Sequence, residues 1–481
     1  MVNRRNFRGD RLSKSSKRCV YGRPNCAYPK RVHHLSREKI VHKAWMSFIA
    51  IVVSIAVIAA IIFGVYKFYG HDLNIGFGAL SKESVQSQAK AHKIKHKYHF
   101  NFKISDSEVD KMLRSMSLED KVAQMFMVTP EQLLGIRGVV TSTGPYIRNS
   151  FYRIPVGGIM YKAENLQNPQ QTKDMIKALQ SISKARVGLN AFVSVDEEGG
   201  TVARVSRNPA MNVEKSPNMC DVGATKKPVK AMKIGKRMGE YLSDLGFNVD
   251  FAPDADVLTD PNNTLIKKRS FGSNPKIVTS MTEAFTEGLQ SSNIFATYKH
   301  FPGHGSTHTD SHMGITISEL SEEDLQRVDL KPFKDASEIG VQFIMVSHVS
   351  YPKVTGDNTP ASVSEKIVTG LARNKLKYNG ILISDSMGMG AITNVYGPGQ
   401  AAVQGIRAGL DMLLSPVDLQ TAYQSVLQAV RNKTISEKRI DESVRRILKV
   451  KLHLESQESS NSKKVVVPQN SDSKKVVVRK K

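Results

Sequence analysis

Four stretches of this sequence gather residue types able to do acid–base chemistry or to hold a polar ligand. The densest, KHFPGHGSTHTDSH at 299–312, repeats His300, His304, His308 and His312 at intervals of four. On a helix that spacing would make one metal-binding face. Pro302, Gly303 and Gly305 oppose a helix, and no H-E-x-x-H occurs, so the reading is a Gly/Pro-rich loop without a metal. Within it, Asp310 and His312 stand two apart. A carboxylate bonded to an imidazole fixes its tautomer and stabilises its cation, which makes a tunable acid/base near neutral pH. Taken alone, the pair is better explained by a surface turn. The second stretch, ILISDSMGM, ends an apolar run in one carboxylate, Asp385, which equally suits the cap of a following helix. The third, VDEEGG, sets Asp196 and two further acids before a Gly pair that permits a sharp turn, with Arg204 eight residues past Asp196. The fourth, RSFG, offers the cation Arg269. Solvated loop charges explain either of these last two in isolation.

The elements that must position them are legible as eight short apolar runs: 124–128, 156–160, 191–195, 248–252, 294–298, 341–346, 380–383 and 411–414. Helical patterns such as 229–245 and 277–289 fill several of the gaps. Strands separated by helices pair in parallel through right-handed crossovers, and eight such units predict an α/β fold, a single (β/α)8 TIM-type barrel. A doubly wound open sheet is the alternative, but no G-x-G-x-x-G follows the first run. A barrel carries its chemistry just past the C-terminal ends of its strands. At those positions stand Asp196, then Asp254 and Asp256, then Lys299 and His300, then Ser347 and His348, then Asp385.

Together, VDEEGG, GFNVDFAPDADV, RSFG, KHFPGHG with DSH, and ISDSMGM resemble glycoside hydrolase family 3, in its β-N-acetylglucosaminidase branch, across 105–455. The resemblance implies Asp385 as the nucleophile of a covalent glycosyl-enzyme and His312 as acid/base with Asp310 as its partner. It also implies that Asp196, Arg204, Arg269, Lys299 and His300 bind the non-reducing-end sugar, and that no cofactor is needed. Sugar hydroxyls need charged, bidentate partners to compensate desolvation, in agreement with these residue types. Two positions depart from the family pattern: Thr201 where Arg often follows Gly-Gly, and Ser306 where the loop often has Asp. These put substrate detail in question more than activity. The short stretch after the barrel leads to the expectation that the second domain supplying a Glu acid/base in the family's β-glucosidases is missing, which favours the Asp–His scheme.

Composition bounds the remainder. Of the +25 net charge, +15 lies in residues 1–100 and +5 in 456–481, so the folded part is nearly balanced and nucleic-acid binding loses its support. Three Cys exclude a disulfide scaffold. Residues 44–66 carry no charge and are long enough to span a bilayer, with Lys43 and Lys67 at its ends and 13 Lys/Arg before it. The expected arrangement is a basic cytoplasmic segment at 1–43, an uncleaved signal-anchor helix at 44–66, an extracellular spacer at 67–100 and the catalytic barrel at 101–455. A disordered basic tail follows at 456–481, in which SKKVVV occurs twice, and the tails could contact cell-wall polymer. The expected activity is retaining release of terminal N-acetylglucosamine from cell-wall glycans by an outward-facing membrane enzyme. A phosphorylase using the same dyad and a glycan-binding barrel without catalysis are the alternatives.

Overall fold

The computed structural model describes residues 104–308 and 314–464, with side chains to 457. The expected cytoplasmic segment, membrane span and spacer, the pair Asp310 and His312, and the chain after 464 lie outside the described residues. No helix among the described residues is long and apolar enough to cross a membrane.

Eight parallel strands close into a barrel: β1 (Phe126–Val128), β2 (Gly158–Met160), β3 (Phe192–Val195), β4 (Val249–Asp250), β5 (Phe295–Phe301), β6 (Phe343–Val346), β7 (Ile381–Ser386) and β8 (Met412–Leu414). Each overlaps one of the eight apolar runs. Neighbours in the chain are neighbours in the sheet, and β1 closes the ring on β8 through Phe126 opposite Leu413. The strands read as continuous apolar runs because helices cover one side and the barrel interior fills the other. Phe192 of β3 meets Phe343 of β6 edge to face, centroids 5.2 Å apart. These strands are not adjacent, so the contact runs through a packed interior.

The crossover helices follow from local chemistry. Pro169–Val187 and Pro275–Gln290 each begin with Pro, whose missing N–H costs nothing there, behind the caps Asn168 and Asn274. Pro169–Val187 and Pro228–Leu245 both stop at a left-handed glycine, Gly188 and Gly246. Pro228–Leu245 buries Ala231, Gly235, Met238, Gly239, Leu242 and Leu245, a stripe at three- and four-residue spacing.

Three boundaries differ from the sequence reading. Lys299 and His300 lie inside β5, and Asp385 inside β7, because these two strands run to the rim itself. Asp385 caps no helix: the next one, Gly390–Thr393, starts at Met389 without a side-chain cap. The final helix continues to Lys464, past the expected end of the barrel domain at 455.

Candidate active site

A cavity of about 1300 Å³ opens at the C-terminal ends of the strands. Asp196, Arg204, Arg269, Lys299, His300 and Asp385 all line it, although they come from four separate parts of the chain. Strand ends converge on one rim of a closed barrel, so distant residues meet there.

The acidic run after β3 sorts itself by alternation. Glu197–Gly199 is extended and pairs antiparallel with Val202–Ala203, so Asp196 and Glu198 face one side and Glu197 the other. Glu197 turns into the protein: its carboxylate accepts from the N–H groups of Val205 and Ser206 and from the Tyr241 hydroxyl. Glu198 turns to the cavity. Gly199 and Gly200 make the hairpin, both at positive φ, and a side chain at Gly200 would run into Asn218.

Glu198 is the functional residue that the sequence reading passed over. Arg269 donates to both of its oxygens, at 2.8 and 2.7 Å, and Lys299 Nζ lies 2.6 Å from Oε1. Its side chain is 1% exposed. Burial pushes this carboxyl up, but the charges of Arg269 and Lys299 outweigh it and hold Glu198 far below the usual range. Lys299 reaches on to Asp196 Oδ1 at 2.9 Å, and Arg204 approaches the other Asp196 oxygen at 3.8 Å. The alternating pattern D-x-E was the available signal, since it places both acids on one side of an extended segment.

His300 is oriented from both ends. Asp256 Oδ2 lies 2.7 Å from its Nδ1, and Arg269 Nη2 lies 3.1 Å from its Nε2. A guanidinium only donates, so Nε2 accepts and Nδ1 carries the hydrogen toward Asp256. Asp256 Oδ1 also accepts the backbone N–H groups of His300 and His304. Against its burial, the contacts with His300 and His304 hold Asp256 down at about 2. Its neighbour Asp254 is raised well above the ordinary value, first by burial and then by the Asp256 charge.

Ligand atoms of Asp254, Asp256 and His300 lie within 4.8 Å of one another, a geometry open to a metal. Asp256 is committed to His300, and Asp254 accepts the Asp256 N–H at 2.9 Å through Oδ1 while its Oδ2, without a hydrogen bond among the described residues, faces the Arg269 Nε at 3.5 Å. A cation there would displace Arg269, so the cluster reads as a hydrogen-bonded scaffold.

Asp385 stands on the opposite wall, half-buried, and its Oδ1 accepts the Ser386 N–H at 2.7 Å. Burial raises its pKa, but the imidazoles of His300 and His348, the Ser386 N–H and Lys299 together bring it below the ordinary value. His348 is fully buried. Its Nε2 donates to the Ser386 carbonyl at 2.9 Å, and its Nδ1 accepts from Ser362 at 2.7 Å, which fixes the peptide beside Asp385. Of the two departures from the family pattern, Thr201 lines the cavity, and Ser306 bonds the Ser318 hydroxyl at 2.9 Å.

The glycosyl hydrolase family 3 N-terminal domain matches residues 117–450. The chain is 33% identical over 344 residues to beta-hexosaminidase A of Pseudoalteromonas piscicida, a match covering 66% of this chain and 57% of that one. It is 31% identical to the beta-hexosaminidase LpqI of Mycobacterium tuberculosis, over 70% of this chain and 83% of LpqI. Among solved structures, a family 3 beta-N-acetylglucosaminidase from Paenibacillus sp. str. FPU-7 superposes with a TM-score of 0.67 at 33% identity, over 71% of this chain and 64% of that one. The chain thus spans little more than half the length of the first of these relatives. By the extent of the domain match and by its barrel, this chain belongs to glycosyl hydrolase family 3.

Proposed function

We propose that this protein is a retaining exo-β-N-acetylglucosaminidase that removes terminal N-acetylglucosamine from glycans. The observation that carries the reading is Asp385: an ionised carboxylate on one wall of the cavity, facing the ion-paired group Asp196, Glu198, Arg269, Lys299 and His300. Such a group can exchange its water for sugar hydroxyls while every charge keeps a partner. A carboxylate within reach of a sugar held there can attack the anomeric carbon.

In the first step the Asp385–carbon bond forms as the glycosidic carbon–oxygen bond breaks, and His312, backed by Asp310, protonates the leaving oxygen. The glycosyl-enzyme has inverted configuration. His312 then takes a proton from water, whose oxygen displaces Asp385 and restores the β configuration. The roles of His312 and Asp310 rest on the sequence motif. Peptidoglycan fragments are the proposed substrates, with the 44–66 segment holding the catalytic domain outside the cell membrane.

The test is release of chromophore by the full-length chain from aryl β-N-acetylglucosaminide and aryl β-glucoside, with and without phosphate. Preference for the acetamido sugar, giving free sugar in both buffers, supports the reading. A sugar-1-phosphate product formed only with phosphate replaces it with phosphorolysis. No turnover of either sugar by folded protein contradicts it.

A further inference from the structure

One buried acid beside the site has no role in the chemistry above. Asp329 sits between the short helices Glu322–Arg327 and Lys331–Lys334 and is 1% exposed. Neither of its carboxylate oxygens has a hydrogen-bond partner among the described residues. A buried carboxylate without a partner is costly, and the cheaper form is the neutral acid.

Asp329 packs against the turn that follows β5. Gly303 is at φ +145°, and a Cβ there would lie 2.6 Å from the Asp329 Cβ and 2.7 Å from its Oδ1. Asp329 therefore fills the space that a side chain at Gly303 would occupy. The same turn is held from other sides: Tyr351 donates its hydroxyl to the Gly303 carbonyl, and the His304 N–H donates to Asp256 Oδ1 at 2.7 Å. Asp256 in turn fixes the His300 ring. A chain of contacts thus leads from Asp329 through Gly303 and His304 to Asp256 and His300.

The titratable groups facing Asp329 are Asp256 from the segment after β4, Asp324 from the helix before it, and Tyr351 from the segment after β6. His304 stands beside them in the turn itself. Among the described residues, the charges acting on Asp329 are those of Asp256 and Asp324, both acids. Burial first, and then the Asp256 charge, push its carboxyl up to about 8. Ionisation would set two buried carboxylates against each other, and the turn between them is what can yield.

We propose that Asp329 is a positioning residue for the glycosidase site: as a neutral buried acid it props the backbone of Gly303 and His304 against Asp256, and its ionisation loosens His300 and weakens sugar binding at alkaline pH. This rests on the glycosidase reading, with Asp329 acting through other residues and never touching substrate.

The experiment measures kcat and KM on aryl β-N-acetylglucosaminide from pH 6 to 10 for the full-length chain and its Asp329→Asn and Asp329→Ser variants. The native protein should lose kcat/KM about tenfold for each pH unit above its alkaline limb, mostly as a rise in KM. Asn cannot ionise, so Asp329→Asn should keep near-neutral activity within about threefold and move the limb up by about one pH unit or more. Asp329→Ser should show the same displaced limb if the Asn variant does not fold. An unchanged limb in whichever variant folds overturns the proposal.

A second readout needs no activity. An acid whose folded pKa is raised stabilises the fold below its unfolded pKa, and that stability is lost as pH rises through the folded value. The native Tm should therefore fall between pH 5 and 8 by about 2 °C per pH unit more than that of Asp329→Asn. Parallel Tm profiles overturn the proposal even if no substrate is turned over, whereas inactivity with divergent profiles counts only against the hydrolase reading.

Discussion

Both ends of the barrel bury charge, and the two ends use it differently. At the N-terminal end, Asp411 accepts from Ser443 at 2.6 Å, from Arg446 at 3.0 Å, from the Leu382 N–H at 2.9 Å, and from Arg373. Arg373 also donates to the Tyr378 and Gly380 carbonyls. Nearby, Lys451 Nζ donates to Gln124 Oε1 at 2.8 Å and lies 5.1 Å from the centre of the Phe192 ring. Each of these groups is turned into protein and bonded to backbone, to its counter-charge or, for Lys451, to a side-chain amide oxygen. At the C-terminal end, Asp196, Glu198, Arg269, Lys299 and His300 are also paired, but around an open cavity. The lesson is that a count of buried ion pairs does not identify a site. What distinguishes the rim is that its paired groups still have a free side toward solvent space.

That contrast makes opposite predictions for the two ends. The largest effect is expected at Asp385: replacing it with Ala should lower kcat by about 10⁴-fold or more, with the far-ultraviolet spectrum and Tm little changed, since among the described residues only the neighbouring Ser386 N–H bonds its carboxylate. Next is Glu198→Gln, which strips the shared anion from Arg269 and Lys299. It should raise KM by about 100-fold and cost about 3 kcal/mol of stability, measured by steady-state kinetics and urea unfolding. At the other end, Asp411→Asn should cost a similar 3 kcal/mol or so, because Arg373 and Arg446 lose their shared counter-charge, yet leave kcat/KM within about twofold. Loss of activity in Asp411→Asn at temperatures where it stays folded would break the division between the two ends.

The two ends also differ in how they respond to pH. Burial pushes Lys451 down to about 7. A base whose folded pKa is depressed contributes stability that is present at high pH and lost as pH falls through the folded value. Unfolding free energy should therefore rise between pH 7 and the ordinary lysine range. Lys451→Met, which never ionises, should flatten that rise without altering the pH profile of turnover.

Much of this was legible in the sequence because it is local. Eight apolar runs of strand length, separated by amphipathic stretches, specify parallel pairing, and closure follows from their number. The position of Asp196, Lys299, His300 and Asp385 at or near run ends then places them on one rim. Arg269 was legible only by motif, since it reaches the cavity through the long irregular segment between β4 and Pro275–Gln290. Glu198 was passed over because three adjacent acids look like a solvated run until Glu197–Gly199 is known to be extended. Asp256 was placed at the rim by its position after the fourth run, but its service to both His300 and His304 depends on the turn after β5 folding back over it. Asp329 carries no sequence signal of that kind: an acid between two short helices is ordinary until burial and the missing partners are seen.

The most direct test of the Asp385 assignment is chemical rescue of Asp385→Ala with azide, using an activated aryl β-N-acetylglucosaminide. If Asp385 is the nucleophile, azide enters from the face that the carboxylate vacated, restores chromophore release and yields an α-configured glycosyl azide. A β-configured azide would instead place the missing group in the acid/base role. Full turnover by folded Asp385→Ala without azide would remove Asp385 from the chemistry altogether.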